Sequence, residues 1–270
     1  MYAESSLGPP LVPPPVVMES QFDRFRRLVA QYEISETMAM YLRQLEHFDT
    51  VLICDDSGSM STPIQPHNSS SPPTTRWAEL KSQVAMITDL VTCFDDDGID
   101  LYFLNRPGRG GITQASDLNG FFCNPPAGVT PLADALNRVI QDKAAVLNSP
   151  ERQKKLLIII FTDGIATDKR GHVDMKSFER ALKSRPDCVF TTIVICTDDD
   201  DVVNIYNRLD RTVKNLDVVD DYVSERNEIR RAQGSNYSFT LGDYVVKCLM
   251  GSIVPELDTL DQSSGCCSMM

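Results

Sequence analysis

Five oxygen-bearing side chains in three separate segments could together bind a hard metal ion. Asp55, Ser57 and Ser59 occupy alternate positions directly after a short apolar run. Thr130 opens a helical pattern, and Asp163 follows a second, longer apolar run. Carboxylates and hydroxyls are hard donors, and a set without His or Cys favours Mg²⁺, which prefers octahedral oxygen coordination and keeps several waters. The three segments therefore predict a magnesium site, provided that the fold brings them together.

The charge of this donor set indicates what else the ion would bind. Two ionised carboxylates balance one divalent cation. If the hydroxyls bind directly and the carboxylates bind through water, the ion stays electrophilic and keeps an open position. A carboxylate from outside can fill that position. We therefore predict a metal-bridged contact with an Asp or Glu side chain of a partner protein.

This pattern resembles the metal-ion-dependent adhesion site of von Willebrand factor type A domains. The likeness rests on Asp55-x-Ser57-x-Ser59, on Thr130 and on Asp163 within an F-T-D-G segment, which agree in identity and order. It covers the sequence from about residue 50 to residue 250. The resemblance implies a doubly wound sheet, Mg²⁺ or Mn²⁺ at the site, and protein recognition rather than catalysis.

Within that family the sequence is most similar to stand-alone intracellular members. It departs from the family pattern at residues 61–75, where a long Pro- and Ser-rich segment follows the D-x-S-x-S motif. This segment would lie beside the metal, where it could shape the choice of partner or partly cover the site.

Three other interpretations of these residues stay open. Asp55 to Ser59 could form a capping turn, in which Asp and Ser side chains accept backbone N–H groups. A Mg²⁺-dependent hydrolase or phosphatase could use Asp55 as its nucleophile, but the common aspartyl-phosphatase pattern has a second Asp where Ser57 stands. The domain could also be a structural module with an unused metal site. A binding module is the favoured prediction; we expect no enzyme and assign no catalytic residue.

The elements that must position these residues alternate between strands and helices. Apolar runs predict buried strands at residues 50–54, 99–104, 156–161 and 188–196, and a helical pattern follows each of them. This alternation predicts an α/β fold with a doubly wound, mostly parallel central sheet and helices on both faces. In such sheets, ligands bind beyond the carboxyl ends of the strands, where the candidate site residues stand.

Composition divides the sequence into four segments. Residues 1–19 are a Pro-rich tail that we predict to be disordered, and residues 20–48 carry two helical patterns that indicate an N-terminal extension. Residues 49–254 form the α/β domain, and residues 255–270 are predicted to be a flexible tail. Four prolines within residues 61–73 predict a loop inside the domain.

Two further groups are candidates for chemistry, but each has a simpler explanation. The four acids Asp198–Asp201 follow a strand and could bind a second cation. Such a run more often caps a helix N-terminus, where the helix dipole favours negative charge. His172 lies nearest to the Asp163 segment, and we interpret it as an exposed loop histidine rather than a catalytic base.

Charge and composition exclude several classes of function. The 270 residues include 26 basic and 38 acidic side chains, so the net charge is −12. Because like charges repel, nucleic acid and anionic membrane surfaces are not expected partners. No apolar run approaches the ~18 residues of a transmembrane helix, and the start of the sequence lacks the features of a secretory signal. We therefore expect a cytoplasmic protein whose eight cysteines are free thiols.

The last four residues match a lipidation motif. Cys267 to Met270 fit the C-a-a-X pattern with a Met of the farnesyl type, and Cys266 could take a palmitoyl chain. Two lipids would anchor the protein stably, whereas one binds only marginally. The preceding stretch is acidic and Ser268 is not aliphatic, so an unmodified tail is the alternative. Membrane association through this lipidation is therefore a candidate addition to the cytoplasmic location.

Overall fold

A six-stranded, mostly parallel sheet lies at the centre of the molecule. The computed structural model describes residues 19–64, 74–151 and 153–262. In chain order the strands are β1 (Phe48–Cys54), β2 (Pro63–Ile64), β3 (Thr74–Thr75), β4 (Ile99–Phe103), β5 (Arg109–Ile112), β6 (Lys155–Thr162), β7 (Val189–Ile195) and β8 (Leu216–Val219). The central sheet has the order β5-β4-β1-β6-β7-β8, and β2 and β3 form a separate hairpin. Among the described strands of the central sheet, β5 alone runs antiparallel to its neighbour.

Helices cover both faces of this sheet. In chain order the described α-helices are α1 (Gln21–Gln31), α2 (Glu36–Tyr41), α3 (Arg76–Val91), α4 (Asn119–Phe122), α5 (Leu132–Asp142), α6 (Ala144–Leu147), α7 (Met175–Lys183), α8 (Asp200–Asp210), α9 (Tyr222–Gln233), α10 (Leu241–Met250) and α11 (Pro255–Asp258). The buried residues of α1, α2, α3, α9 and α10 form one core, and those of α5, α7 and α8 form the other. The predicted fold class is therefore confirmed. None of the helices in the described part of the chain has both the length and the apolar character needed to cross a bilayer.

The apolar run of β6 contributes to both cores. All side chains from Leu156 to Phe161 are buried, and successive ones join opposite cores. This follows from the period of two in a strand, which points neighbouring side chains to opposite faces. Each such buried side chain contributes about 1.5–3 kcal/mol relative to exposure. The strand that carries Asp163 at its end is therefore firmly held in the middle of the domain.

The order in which the chain adds strands determines where a ligand crevice lies. From β1 the chain adds β4 and β5 on one side, and then returns to place β6 on the other side of β1. The reversal therefore lies between β1 and β6, which pair in parallel with Cys54 opposite Phe161. Open α/β sheets bind ligands outside the carboxyl ends of the strands at such a reversal. The expectation that the segments after these two strands meet at one edge is confirmed.

Two helices precede β1, as the sequence predicts. Ser20 caps α1 and Ser35 caps α2, each by accepting a backbone N–H through its hydroxyl. The Ser35 backbone N–H also donates to the Asp243 carboxylate of α10 at 2.8 Å. The Thr240 hydroxyl at the start of α10 donates to the Glu33 carbonyl at 2.9 Å. The N-terminal helices are thus attached to a helix from the far end of the sequence.

Several short elements are not predicted from the sequence. The edge strands β5 and β8 are absent from the sequence-based assignment. On either side of the predicted loop, Pro63–Ile64 pairs with Thr74–Thr75; the residues between these two strands lie outside the described part of the chain. Helix α11 lies beyond the predicted domain end at residue 254, and its Leu257 is buried.

Candidate metal centre

Asp55 is fixed at the carboxyl end of β1 by hydrogen bonds to both of its carboxylate oxygens. The strand pairing continues for one more residue, since the Asp55 backbone N–H donates to the Phe161 carbonyl at 2.9 Å. The Ser57 backbone N–H donates to Asp55 Oδ1 at 2.8 Å, and the Thr162 hydroxyl donates to Oδ2 at 2.7 Å. Burial raises the pKa of Asp55 to about 6, although these hydrogen bonds oppose the shift. The carboxylate is fully buried.

Three further predicted residues form a hydrogen-bonded chain beside Asp55. The hydroxyl oxygens of Ser57 and Ser59 lie 3.1 Å apart. The Ser59 hydroxyl donates to Asp163 Oδ1 at 2.7 Å. Ser57 and Asp163 are buried, whereas Ser59 is exposed. Both ends of this chain of oxygens are therefore buried, and it reaches the surface at its middle residue, Ser59.

Thr130 belongs to a loop that contacts both segments. The Gly58 backbone N–H donates to the Gly128 carbonyl at 3.3 Å. The Thr130 backbone N–H donates to the Thr167 hydroxyl at 3.0 Å, and the Thr167 N–H donates back to the Thr130 carbonyl at 2.9 Å. Gly128 has a φ of +120°, and a Cβ there would lie 2.5 Å from the Asn105 side chain, so this close approach requires glycine. The Thr130 backbone therefore joins its loop to the segment that follows Asp163.

An arginine that the sequence analysis does not identify also enters the site. Arg76, the first residue of α3, donates to Asp163 Oδ2 at 2.7 Å and to the Thr197 hydroxyl at 2.8 Å. The Asp163 side chain has no exposed surface, and the Arg76 side chain is 15% exposed. Arg76 therefore neutralises one of the two predicted metal-binding carboxylates. No motif spacing marks it in the sequence.

A second arginine–aspartate pair supports the loop that leads to Thr130. Arg106 Nε donates to the buried Asp56 carboxylate at 2.7 Å, and Arg106 Nη2 donates to the Pro125 carbonyl at 2.9 Å. The Asn105 backbone N–H donates to the same carboxylate at 2.8 Å. The guanidinium also lies 5.2 Å from the centre of the Trp77 ring. Asp56, which adjoins the predicted site residue Asp55, thus has a supporting role that sequence spacing does not reveal.

The residues at this edge fit a hard divalent cation in their chemistry. Asp55 and Asp163 supply carboxylates, Ser57 and Ser59 supply hydroxyls, and Thr130 lies on the adjoining loop. All of these donors are oxygens, as Mg²⁺ and Mn²⁺ prefer. In the structure described, hydrogen bonds between side-chain oxygens link Ser57, Ser59 and Asp163, and Arg76 donates to Asp163. A bound ion would replace some of those hydrogen bonds.

The remaining sequence candidates have simple structural roles or lie outside the described residues. Asp199 caps α8, because its side chain accepts the Asp201 backbone N–H at 2.9 Å. The capping explanation for this acidic run is therefore confirmed. His172 is exposed, and its Nδ1 lies 3.1 Å from the Asp168 carboxylate. The lipidation candidates Cys266 and Cys267 lie outside the described part of the chain.

Comparisons with known proteins give structural likenesses only. No protein-family model matches the sequence, and no curated protein does so. Among solved structures, the SpRpn10 VWA domain is 14% identical with a TM-score of 0.47, over 71% of this chain and 98% of that one. The PilB minor pilin from Streptococcus sanguinis is 12% identical with a TM-score of 0.47, over 79% of this chain and 62% of the pilin. This chain therefore spans less than two thirds of the pilin.

A third likeness is to an uncharacterized membrane spanning protein from Vibrio fischeri. It is 16% identical with a TM-score of 0.30, over 68% of this chain and 96% of that one. At such identities and TM-scores, the likenesses carry no argument about ligand or activity.

Proposed function

We propose that this protein is a metal-dependent protein-binding module. Its Asp55, Ser57, Ser59, Thr130 and Asp163 would hold Mg²⁺ or Mn²⁺, and an Asp or Glu of a partner protein would complete the coordination. The observation that carries the proposal is the hydrogen-bonded chain from Ser57 through Ser59 to Asp163 at the reversal point of the sheet. The chain consists only of oxygen donors. It reaches the surface at Ser59, where a partner's carboxylate can approach.

The surroundings of Asp55 favour binding over catalysis. A nucleophilic carboxylate needs a free oxygen directed at the substrate. Both oxygens of Asp55 instead accept hydrogen bonds from Ser57 and Thr162, and its side chain is inaccessible to solvent. This argues against Asp55 as a nucleophile, and with no other catalytic residue assigned we propose that the protein is not an enzyme. Hydrolysis of p-nitrophenyl phosphate that is lost in Asp55→Ala would contradict this.

A calorimetric titration with Mn²⁺ tests the metal site. We expect saturable one-site binding to the wild type, with at least a tenfold loss of affinity in Asp163→Asn and in Ser59→Ala. Ser59 is exposed, so its substitution leaves the fold intact. Asp187→Asn is the matched control, because it removes an equal charge from an exposed residue paired with Lys214. Binding that is equally strong in all three variants would refute the proposed ligand set.

A relaxation measurement tests the open coordination position. Acetate serves as the probe for a partner's carboxylate. We expect the methyl protons of acetate to relax faster in the presence of the Mn²⁺-loaded wild type than with the same protein loaded with Mg²⁺. Ser59→Ala should reduce the effect by releasing the metal. Normal metal binding without enhanced acetate relaxation would leave a metal site but reject carboxylate recognition.

A separate proposal concerns location and rests on the sequence alone. We propose a cytoplasmic protein that is lipidated at Cys267, with Cys266 as a second acceptor, where Met270 is the final residue in the cell. Intact mass after expression in eukaryotic cells tests this. We expect a mass change that corresponds to an added prenyl group, with or without loss of residues 268–270, and Cys267→Ser should abolish it. An unmodified mass would reject the anchor without affecting the metal site.

A further inference from the structure

A second group of carboxylates gathers beside the edge strand β8. Asp210 ends α8, Asp217 lies within β8 and Asp258 ends α11. One carboxylate oxygen from each of these residues lies within 4.8 Å of those of the other two. Asp217 is buried, whereas Asp210 and Asp258 are half-buried. The inner side of this acidic triad, at Asp217, is therefore buried, and its outer side is accessible to solvent.

A buried oxygen of Asp217 lacks a partner. Among the described residues, nothing donates a hydrogen bond to Asp217 Oδ2, although this atom is shielded from solvent. The same atom lies so close to α10 that a Cβ on Gly251 would fall 1.7 Å from it. A buried carboxylate oxygen without a donor is costly unless a proton or a cation compensates it. This observation is independent of the clustering and indicates that a ligand belongs there.

The nearby basic groups do not neutralise the triad. Lys247 is buried, but its ammonium group binds two other carboxylates, those of Glu225 and Asp261, the latter at 3.2 Å. Burial alone would lower the pKa of Lys247, but the surrounding carboxylates raise it and keep the group charged. Arg211 next to Asp210 is exposed, so its charge is screened by water. The charge of Lys247 opposes the shift at Asp217, but burial still raises the pKa of Asp217 well above its usual range. The triad therefore needs a proton or a cation to compensate its buried carboxylate.

We propose that Asp210, Asp217 and Asp258 form a binding site for Ca²⁺. Calcium takes six to eight oxygen ligands at about 2.3–2.6 Å in flexible geometry, so two ligands on opposite sides of the ion lie roughly 4.6–5.2 Å apart. The separations within the triad fit inside this span. Water can fill the remaining coordination positions from the half-exposed side at Asp210 and Asp258. The ion would join α11 to α8 and β8, and so fasten the C-terminal helix of the described chain to the edge of the sheet.

Calcium titration of the intact protein tests this site. We expect saturable one-site Ca²⁺ binding in the Asp163→Asn background, which removes the metal centre described above. Asp258→Asn should weaken binding at least tenfold. Glu256→Gln is the matched control, because it lies exposed in the same helix and outside the triad. It should bind Ca²⁺ as tightly as its parent.

A second measurement keeps the proposal falsifiable if a variant is poorly folded. Bound Ca²⁺ should slow hydrogen exchange in residues 253–262 and raise the melting temperature by a few degrees at 1 mM, because the ion binds the folded state. Both effects should persist in Glu256→Gln and vanish in Asp258→Asn. Absence of Ca²⁺ binding in the parent would overturn the proposal and assign the triad a shared proton instead. Binding that Asp258→Asn leaves unchanged would also overturn it.

Discussion

Two carboxylate-rich regions of this molecule handle negative charge in opposite ways. At the carboxyl ends of β1 and β6, Asp163 pairs with Arg76 and Asp56 pairs with Arg106. In the acidic triad beside β8, one buried oxygen of Asp217 accepts no hydrogen bond from the described residues, and the buried Lys247 binds Glu225 and Asp261 instead. Carboxylates of similar burial are thus compensated by a base in one region and lack such a partner among the described residues in the other. The difference teaches that the partner of a buried charge, rather than the burial, decides the sign of its contribution.

The largest effect on stability is expected from breaking the ion pair between Asp56 and Arg106. Asp56→Ala removes the carboxylate that Arg106 and Asn105 share, and it leaves the mostly buried guanidinium without its counter-charge. We expect the free energy of unfolding to fall by about 3 kcal/mol, as for other broken buried pairs. Urea unfolding measures this. Asp134→Ala removes an exposed carboxylate and is the control; equal stability of the two variants would contradict the prediction.

The opposite change in stability is expected when Asp220, an acid surrounded mainly by other acids, is replaced. Burial, and then repulsion from Glu225, Glu228 and Asp221, raises the pKa of Asp220 to about 7. Because the folded-state pKa lies above the unfolded value, the stabilising contribution is present at low pH and is lost as the pH rises through about 7. Asp220→Asn avoids this loss.

The measurement compares unfolding at pH 5 and pH 8 in the presence of a chelator. We expect Asp220→Asn to be more stable than the wild type at pH 8 by about 1–2 kcal/mol, a value reduced for the partial exposure of this group. At pH 5 the two proteins should differ less. A variant that is less stable than the wild type at pH 8 would show that Asp220 is usefully paired.

An effect of intermediate size concerns Arg76, whose guanidinium group lies in the candidate metal centre. Arg76 donates to Asp163 Oδ2, so its positive charge opposes a bound metal ion. We expect Arg76→Gln to tighten Mn²⁺ binding by about tenfold, which corresponds to ~1.4 kcal/mol of relieved repulsion. Calorimetry measures the affinity. Lys81→Gln removes the same charge from another part of α3. An equal gain in Mn²⁺ affinity in that variant would show that the effect reflects net charge alone.

The smallest effect concerns Asp199, whose carboxylate accepts a backbone N–H at the start of a helix. Asp199 accepts the Asp201 backbone N–H at the start of α8. Asp199→Ala should lower the free energy of unfolding by about 1 kcal/mol, the usual cost of losing a capping side chain. Thermal unfolding with and without Mg²⁺ checks this. Asp200→Ala is the control within the same acidic run; a loss that appears only with Mg²⁺ would instead indicate a cation site.

The sequence predicts the central elements because their patterns are local. Apolar residues run without interruption over Val51–Cys54 in β1 and Leu156–Phe161 in β6, and such runs predict strands buried on both faces. The rule that ligands bind at the carboxyl ends of parallel strands then places Asp55 and Asp163 at one edge. These predictions do not require knowledge of which helix packs where.

The features that the sequence does not predict depend on long-range contacts. In β8, Asp217 interrupts the apolar pattern, and in β5 two glycines remove it. The approach of Arg76 to Asp163 depends on the placement of α3 relative to β6. The acidic triad gathers one residue from each of three elements, and their separation in sequence gives no signal. Register and packing decide such contacts, and no local pattern encodes them.

The attachment of the N-terminal helices to α10 has a consequence for folding during synthesis. The contact between Ser35 and Asp243 spans 208 positions of the sequence. At roughly 5–20 residues per second, a ribosome needs about 10–40 s to make the intervening chain. Throughout that time, the buried face of α2 lacks the helix that covers it. A nascent chain of this protein therefore exposes a hydrophobic surface for a long interval, and chaperone binding to arrested chains should decline once α10 has left the exit tunnel.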